Sequence, residues 1–193
     1  RLWMEKRHVI RKILTSVVFA CFVGCCFYTV TAVHAWFGQV WDPAQYQGLD
    51  ATAYLETTFP EDAAAIRWLN EHVTGDPVVL EANGDSYSDY ERVSAMTGLP
   101  TVLGWYVHEW LWRGDTGALN ERAQEIEAVY TSTNQEEVKK LLEKYQVRYI
   151  FVGAREREKY AALNESMLQS LGNIVFSDEQ SQTYVLQVAF SGQ

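Results

Sequence analysis

From Ile13 to Val33 the chain carries no charge at all, ILTSVVFACFVGCCFYTVTAV, and beyond it polar and apolar residues alternate in shorter rhythms. A bilayer core needs about 20 apolar residues in helical form, so this run predicts a transmembrane helix over 13–35. Basic residues precede it, and Trp36, Phe37 and Trp41 follow it. That order places the N-terminal end in the cytoplasm and the aromatics at the far interface. A signal peptide is the alternative. The run is long for one, and AVHA at 32–35 is only a faint cleavage site.

Residues 36–60 read as a connector, with Gly48-Leu49-Asp50 and Tyr54-Leu55 as ordered turns. Pro60-Glu61-Asp62 then opens a helix, because acids in a first turn suit the helix dipole. Ala65, Ile66, Leu69 and Val73 share one face of it, and Gly75 and Pro77 stop it. Val78-Val79-Leu80 predicts a buried strand. Leu119 to Tyr130 predicts a helix with Ile126, Val129 and Tyr130 inward. Thr133, with Glu136 three residues on, predicts the cap of a second helix running to Tyr145. Val147 to Val152 reads as another buried strand ended by Gly153, and Arg155 to Leu171 as one helix. Asn173–Phe176 and Thr183–Val188 form a hairpin across the polar turn 177–182. Helices alternating with strands, then a hairpin, predict an α/β domain with a mixed sheet. The expected division is 1–12 cytoplasmic, 13–35 membrane helix, 36–60 connector and 61–193 extracytoplasmic α/β domain.

Composition changes this picture in three ways. Residues 1–12 hold five basic residues against Glu5, a net +4, so the remainder carries −13 of the chain's −9. An acidic body argues against binding a phosphate backbone, and no nucleic-acid partner is expected. All three cysteines, Cys21, Cys25 and Cys26, fall in the apolar run, so no disulfide staples the body. The chain begins with Arg rather than Met, as the tail of a longer protein or a trimmed chain would.

The candidate chemistry lies in Glu81 to Gly114, EANGDSYSDYERVSAMTGLPTVLGWYVHEWLWRG, which has no clean helical or strand period. It follows the carboxyl end of the first strand, where open α/β sheets bind ligands. Glu81 is expected to be partly desolvated, either as an acid or base of raised pKa or as a structural bridge to Arg92 or Arg113. Tyr87, Tyr90, Trp105, Tyr106, Trp110 and Trp112 concentrate beside acids and amides. Such rings suit the flat C–H faces of carbohydrates; core packing and contact with a membrane surface are the plainer alternatives. His108-Glu109 lacks the second histidine of a zincin, since position 112 is Trp. A metal-dependent hydrolase using His108, Glu109 and Glu81 is therefore the weakest reading, and a hydrogen-bonded histidine at a helix start the plainer one. Ser86, Ser88 and Ser94 lack a nucleophile elbow, and Gly98 and Gly104 lack Walker spacing. Asn164-Glu165-Ser166 matches a glycosylation sequon.

These motifs occur in a familiar order: Gly48-Leu49-Asp50, Ala65-Ile66-Arg67-Trp68-Leu69-Asn70, Glu81-Ala82, Ser86-Tyr87, Arg92-Val93-Ser94, Thr97 to Trp105, His108-Glu109, Trp112-Arg113-Gly114, Tyr145, Val147 to Ile150 and Val152-Gly153. From about Gln47 to Val188 the chain resembles the C-terminal region of the Chlor-Arch-YYY family of multispanning membrane proteins. That family is similar to the GT-C superfamily of membrane glycosyltransferases, which use lipid-linked sugar donors. The resemblance implies many membrane helices upstream, an extracytoplasmic domain here, and a catalytic acid in the upstream membrane part. Glu81, Tyr87, Arg92, Trp105, His108, Glu109, Trp112 and Arg113 match its recurrent motifs and are the expected lining of an acceptor or donor pocket. The implied partners are membrane lipid, a polyprenyl-phosphate-linked sugar and the upstream helices. No metal or cofactor is expected in this segment, while a divalent metal has room in the full-length protein. The alternative is a non-catalytic, membrane-tethered carbohydrate-binding or assembly module.

Overall fold

The computed structural model describes residues 2–38 and 52–189, with side chains from Arg7 onward. It separates into two compact units, Arg1–Asp50 and Ala51–Gln193. The expected turn at Gly48-Leu49-Asp50 and the aromatic Trp41 lie outside the described residues.

The first unit is one helix, α1 (Leu2–Phe37). Its window Arg7–Phe37 has a mean hydropathy of 2.2 and is long and apolar enough to cross a membrane. Residues 13–31 are all exposed within the chain, so the apolar surface is left for surroundings of matching polarity. The hydroxyls of Thr15 and Thr31 donate back to Arg11 O (2.9 Å) and Phe27 O (3.1 Å), which satisfies them inside an apolar run.

The second unit is an α/β domain. Its elements are α2 (Leu55–Thr58), α3 (Pro60–His72), β1 (Val78–Leu80), α4 (Arg92–Thr97), α5 (Tyr106–Arg113), α6 (Gly117–Thr131), α7 (Gln135–Lys144), β2 (Val147–Val152), α8 (Ala154–Lys159), α9 (Glu165–Gln169), β3 (Gly172–Asp178) and β4 (Thr183–Val188). The sheet order is β1-β2-β4-β3. β1 and β2 are parallel, with Val79 opposite Tyr149, while β4 runs antiparallel to both β2 and β3. This is the mixed sheet that the order of elements predicts.

The strand residues sort onto two faces by alternation. Leu80, Ile150, Val152 and Leu186 pack with Leu119, Ile126, Tyr130, Leu142 and Leu168 from α6, α7 and α9. Val79, Phe151 and Val185 pack with Leu55, Ile66, Leu69 and Val93 from α2, α3 and α4. Helices thus cover both faces, and the near-continuous apolar runs of β2 and β4 follow from that. Tyr130 is fully buried and donates to Leu80 O (3.2 Å) and Phe151 O (2.9 Å), which ties α6 to the carboxyl ends of β1 and β2.

Three local expectations change. The cap of α7 is Asn134, not Thr133; its side chain accepts from Glu137 N at 3.3 Å. The single helix expected over 155–171 is two, α8 and α9. Tyr160 turns out of the helix at φ −104°, ψ 85° and stacks on Tyr130 at 4.8 Å. Asn164 then caps α9, its Oδ1 accepting from Met167 N at 3.2 Å, and its own N–H donates to Tyr130 O at 2.9 Å. The asparagine of the sequon is therefore already engaged as a cap. Ser177 belongs to β3 rather than to the turn.

Candidate functional site

β1 ends at Leu80, and the next residue, Glu81, is 1% exposed. Its carboxylate accepts from Val93 N (2.8 Å) and Ser94 N (2.7 Å). Those are amides of the first turn of α4, which need acceptors from outside the helix. The usual cap position is occupied by Glu91 in the left-handed region (φ 59°, ψ 21°), whose side chain makes no cap hydrogen bond. Glu81 takes over that role from the end of the strand. Burial pushes its pKa up to about 7, against the pull of Ser94, Arg92 and Val93.

Arg92 fixes the other side of α4. It is 3% exposed and pairs with Asp62 of α3 and with Glu156 of α8, the latter at 3.0 Å. Glu156 also accepts from Ala82 N and Gly153 N, each at 2.9 Å. Asp62 accepts from Thr183 Oγ1 at 3.4 Å. A β-carbon on Gly153 would stand 2.5 Å from Asp62 Oδ1, so this close approach needs glycine. Burial works against the charge on Arg92, but Glu156 and Asp62 outweigh it and hold the guanidinium protonated. The bridge considered between Glu81 and Arg92 or Arg113 does not form: Arg92 takes other carboxylates, and Arg113 pairs with Glu109.

With α4 held in this way, a cleft of about 680 Å³ opens between it and α5. That lies within the range of small-ligand pockets. One wall is Glu91, Ser94 and Ala95, and the floor is Leu99 to Thr101 with Gly104. The other wall is Trp105, His108, Glu109, Trp112 and Arg113. The spacing of positions 105, 108, 109 and 112 puts them on one face of α5. Gly114, at φ 71°, ends that helix.

Rings crowd the α5 wall. Tyr87, Trp105 and His108 lie with centroids 5.2–5.6 Å apart. Trp105 Nε1 donates to Tyr90 O at 3.1 Å. Tyr87 is 85% and Trp112 87% exposed, so neither is a core residue. Glu109 and Arg113 form an ion pair one turn apart at the rim.

Glu91 is the residue that sequence reasoning missed. It is 5% exposed, and its Oε1 accepts from Gly84 N at 2.6 Å. Its Oε2 has no partner. Among the described residues, five buried side-chain polar atoms lack one, and three of them belong to cleft residues: Glu91 Oε2, Thr101 Oγ1 and His108 Nδ1. Buried polar atoms are rarely left so, which makes their gathering in one cleft informative. Burial pushes the Glu91 carboxyl up to about 8. The only sequence signal was an acid just before a short apolar turn, which many surface acids share.

Of the eight expected pocket residues, Trp105, His108, Glu109, Trp112 and Arg113 line the cleft. Tyr87 leans on it through Trp105 and His108. Glu81 and Arg92 do not line it; they position α4 behind it. His108 is not the hydrogen-bonded histidine expected, since its Nδ1 is unpartnered and the ring packs among aromatics. The set Glu81, His108 and Glu109 is not brought together: Glu81 is spent on amides, and no three His, Cys, Asp or Glu among the described residues converge on a common point.

No protein-family model and no curated protein matches the sequence. Among solved structures, the C-terminal globular domain of an oligosaccharyltransferase from Archaeoglobus fulgidus is similar, with a TM-score of 0.42 and 12% identity. The match covers 67% of this chain and 97% of that one.

Proposed function

We propose that this chain is the last membrane helix and the extracytoplasmic domain of a GT-C-like glycosyltransferase that uses a lipid-linked sugar donor. Its N-terminal end is cytoplasmic, and the domain shapes the donor or acceptor pocket. The observation that carries this reading is the cleft, lined by tryptophans, an ion pair and three residues that each keep an unanswered buried polar atom. Support also comes from the uncharged helix that follows a basic block, and from an order of motifs that resembles the Chlor-Arch-YYY region. The catalytic acid belongs to the upstream membrane part, and any divalent metal would act there.

The cleft itself is built for holding rather than for bond breaking. Glu109 is committed to Arg113, and one oxygen of Glu91 to Gly84. That arrangement also favours the second reading, a tethered carbohydrate-binding or assembly module.

In the full-length protein embedded in membranes, Glu109→Ala or Arg113→Ala should reduce sugar transfer from a polyprenyl-phosphate sugar by roughly 100-fold, the scale of losing one preorganised charged group. Folding, followed by circular dichroism, should be retained. Transfer at the wild-type rate in both variants would remove the role given to this wall. A full-length wild type that binds sugar but transfers none would put the module reading first.

A further inference from the structure

The cleft carries more detail than the general reading uses, and the inference below rests on that reading. The geometry points to Glu91, Thr101 and His108 as a hydroxyl-binding wall for one uncharged sugar ring, rather than for the phosphate that carries the sugar.

Charge is the first argument. The ionisable residues lining the cleft are Glu91, His108, Glu109 and Arg113. Arg113 is the one fixed cation among them, and it is already paired with Glu109. With Glu109 balancing Arg113, the lining offers no net positive charge to a phosphate, which is held by unbalanced Arg, Lys or an open helix N-terminus. The N-terminal amides Val93 and Ser94 of α4 are consumed by Glu81. A cationic ligand is no better served, because the Glu91 carboxyl is held up to about 8 and is mainly neutral at pH 7.

Hydrogen-bonding capacity is the second. Glu91 Oε2, Thr101 Oγ1 and His108 Nδ1 are withdrawn from bulk water and have no partner. A carboxyl, a hydroxyl and an imidazole nitrogen together offer donors and acceptors, and a hydroxyl of a ligand is both. A polyol matches such a mixed set; a purely accepting phosphate does not. Shape is the third. Trp105 and Trp112 line the same cleft, and indole rings suit the C–H face of a pyranose.

The test uses the full 193-residue chain in detergent micelles, with binding followed by calorimetry and tryptophan fluorescence. The probes are methyl α-D-mannopyranoside, methyl β-D-glucopyranoside, glucosamine and inorganic pyrophosphate. At least one neutral glycoside should bind saturably, and pyrophosphate should not. Thr101→Val should weaken that binding about fivefold and Glu91→Ala about tenfold or more, the cost of one lost hydrogen bond and of a stronger one. Glu91→Gln keeps the Gly84 contact and one donor, and should bind within about threefold of wild type. It controls for a misfolded Glu91→Ala.

Binding of pyrophosphate, a tenfold preference for glucosamine over both neutral glycosides, no binding of either glycoside, or unchanged affinity in Thr101→Val and Glu91→Ala would each overturn the inference. The transfer assay on Glu109→Ala and Arg113→Ala reads a different step. Its failure with glycoside binding intact would sink the transferase reading and leave this wall standing.

Discussion

Two clusters of buried polar residues meet in the sequence at Glu91 and Arg92 and behave in opposite ways. Behind α4, Asp62, Arg92 and Glu156 form a buried ion cluster whose polar atoms are answered by Thr183, Ala82 N and Gly153 N. In front of α4, Glu91, Thr101 and His108 are also withdrawn from water but keep unanswered atoms. The difference separates scaffold from site. A polar group that the fold itself satisfies contributes to holding the fold. One that the fold leaves unsatisfied carries a standing cost, and a ligand can relieve it. Arg92 and Glu81, both expected in the pocket, prove to be scaffold.

The sharpest way to break that comparison is to remove Arg92. Arg92→Met should destabilise the domain by about 3–5 kcal/mol, because Asp62 and Glu156 are then left buried without their cation. Arg113→Ala, at the exposed rim, should leave the urea midpoint unchanged. A midpoint equally insensitive to both would mean that the buried cluster is not the scaffold argued here.

The next effect is on pH. The Glu81 and Glu91 carboxyls are raised by burial to about 7 and about 8 from an ordinary 4.5. Over that interval the folded chain holds protons that the unfolded chain has released. Stability from these groups is therefore fully present below 4.5 and falls as pH rises through 7 and 8. Glu91→Gln should abolish the part of the decline that reaches pH 8 and leave the part from Glu81. Melting temperatures between pH 5 and 9 would reveal it, and identical profiles for wild type and variant would contradict it.

The smallest effect is the cleanest contrast. Thr183→Val removes a hydroxyl that serves Asp62, and should cost about 1 kcal/mol. Thr101→Val removes a hydroxyl that serves nothing in the fold, and should be neutral or slightly stabilising. Equal losses at both positions, measured by denaturant unfolding, would erase the distinction between the clusters.

Much of the scaffold was legible because its signals are local. The short apolar runs at 78–80 and 147–152 read as strands, and Ile126, Val129 and Tyr130 as an inner face, from spacing alone. The failures were local competitions decided from afar. Arg155 to Leu171 has helical composition, but Tyr160 finds a stacking partner in Tyr130, and the helix breaks there. α5 went unread because its cleft-lining stripe, His108, Glu109 and Trp112 with Trp105 at the cap, has helical spacing but mixed chemistry. A search for an apolar period does not see it. Trp105, His108, Glu109, Trp112 and Arg113 line the cleft, while Glu81 and Arg92 of the same stretch are drawn behind α4 by partners distant in sequence.

What the sequence determined by itself is what needs only neighbours: an uncharged helix long enough to span a bilayer, the alternation of helices and strands, and the hairpin at the end. Periodicity and capping act within a few residues, so they can be read along the chain. The tertiary structure alone decided which acids are spent and which are free. Arg92 meets Glu156 across 64 residues and Asp62 across 30, and Thr183 reaches Asp62 across 121. An acid in the sequence has the same pattern whether its oxygens will be answered or not; only the fold brings, or fails to bring, the partner.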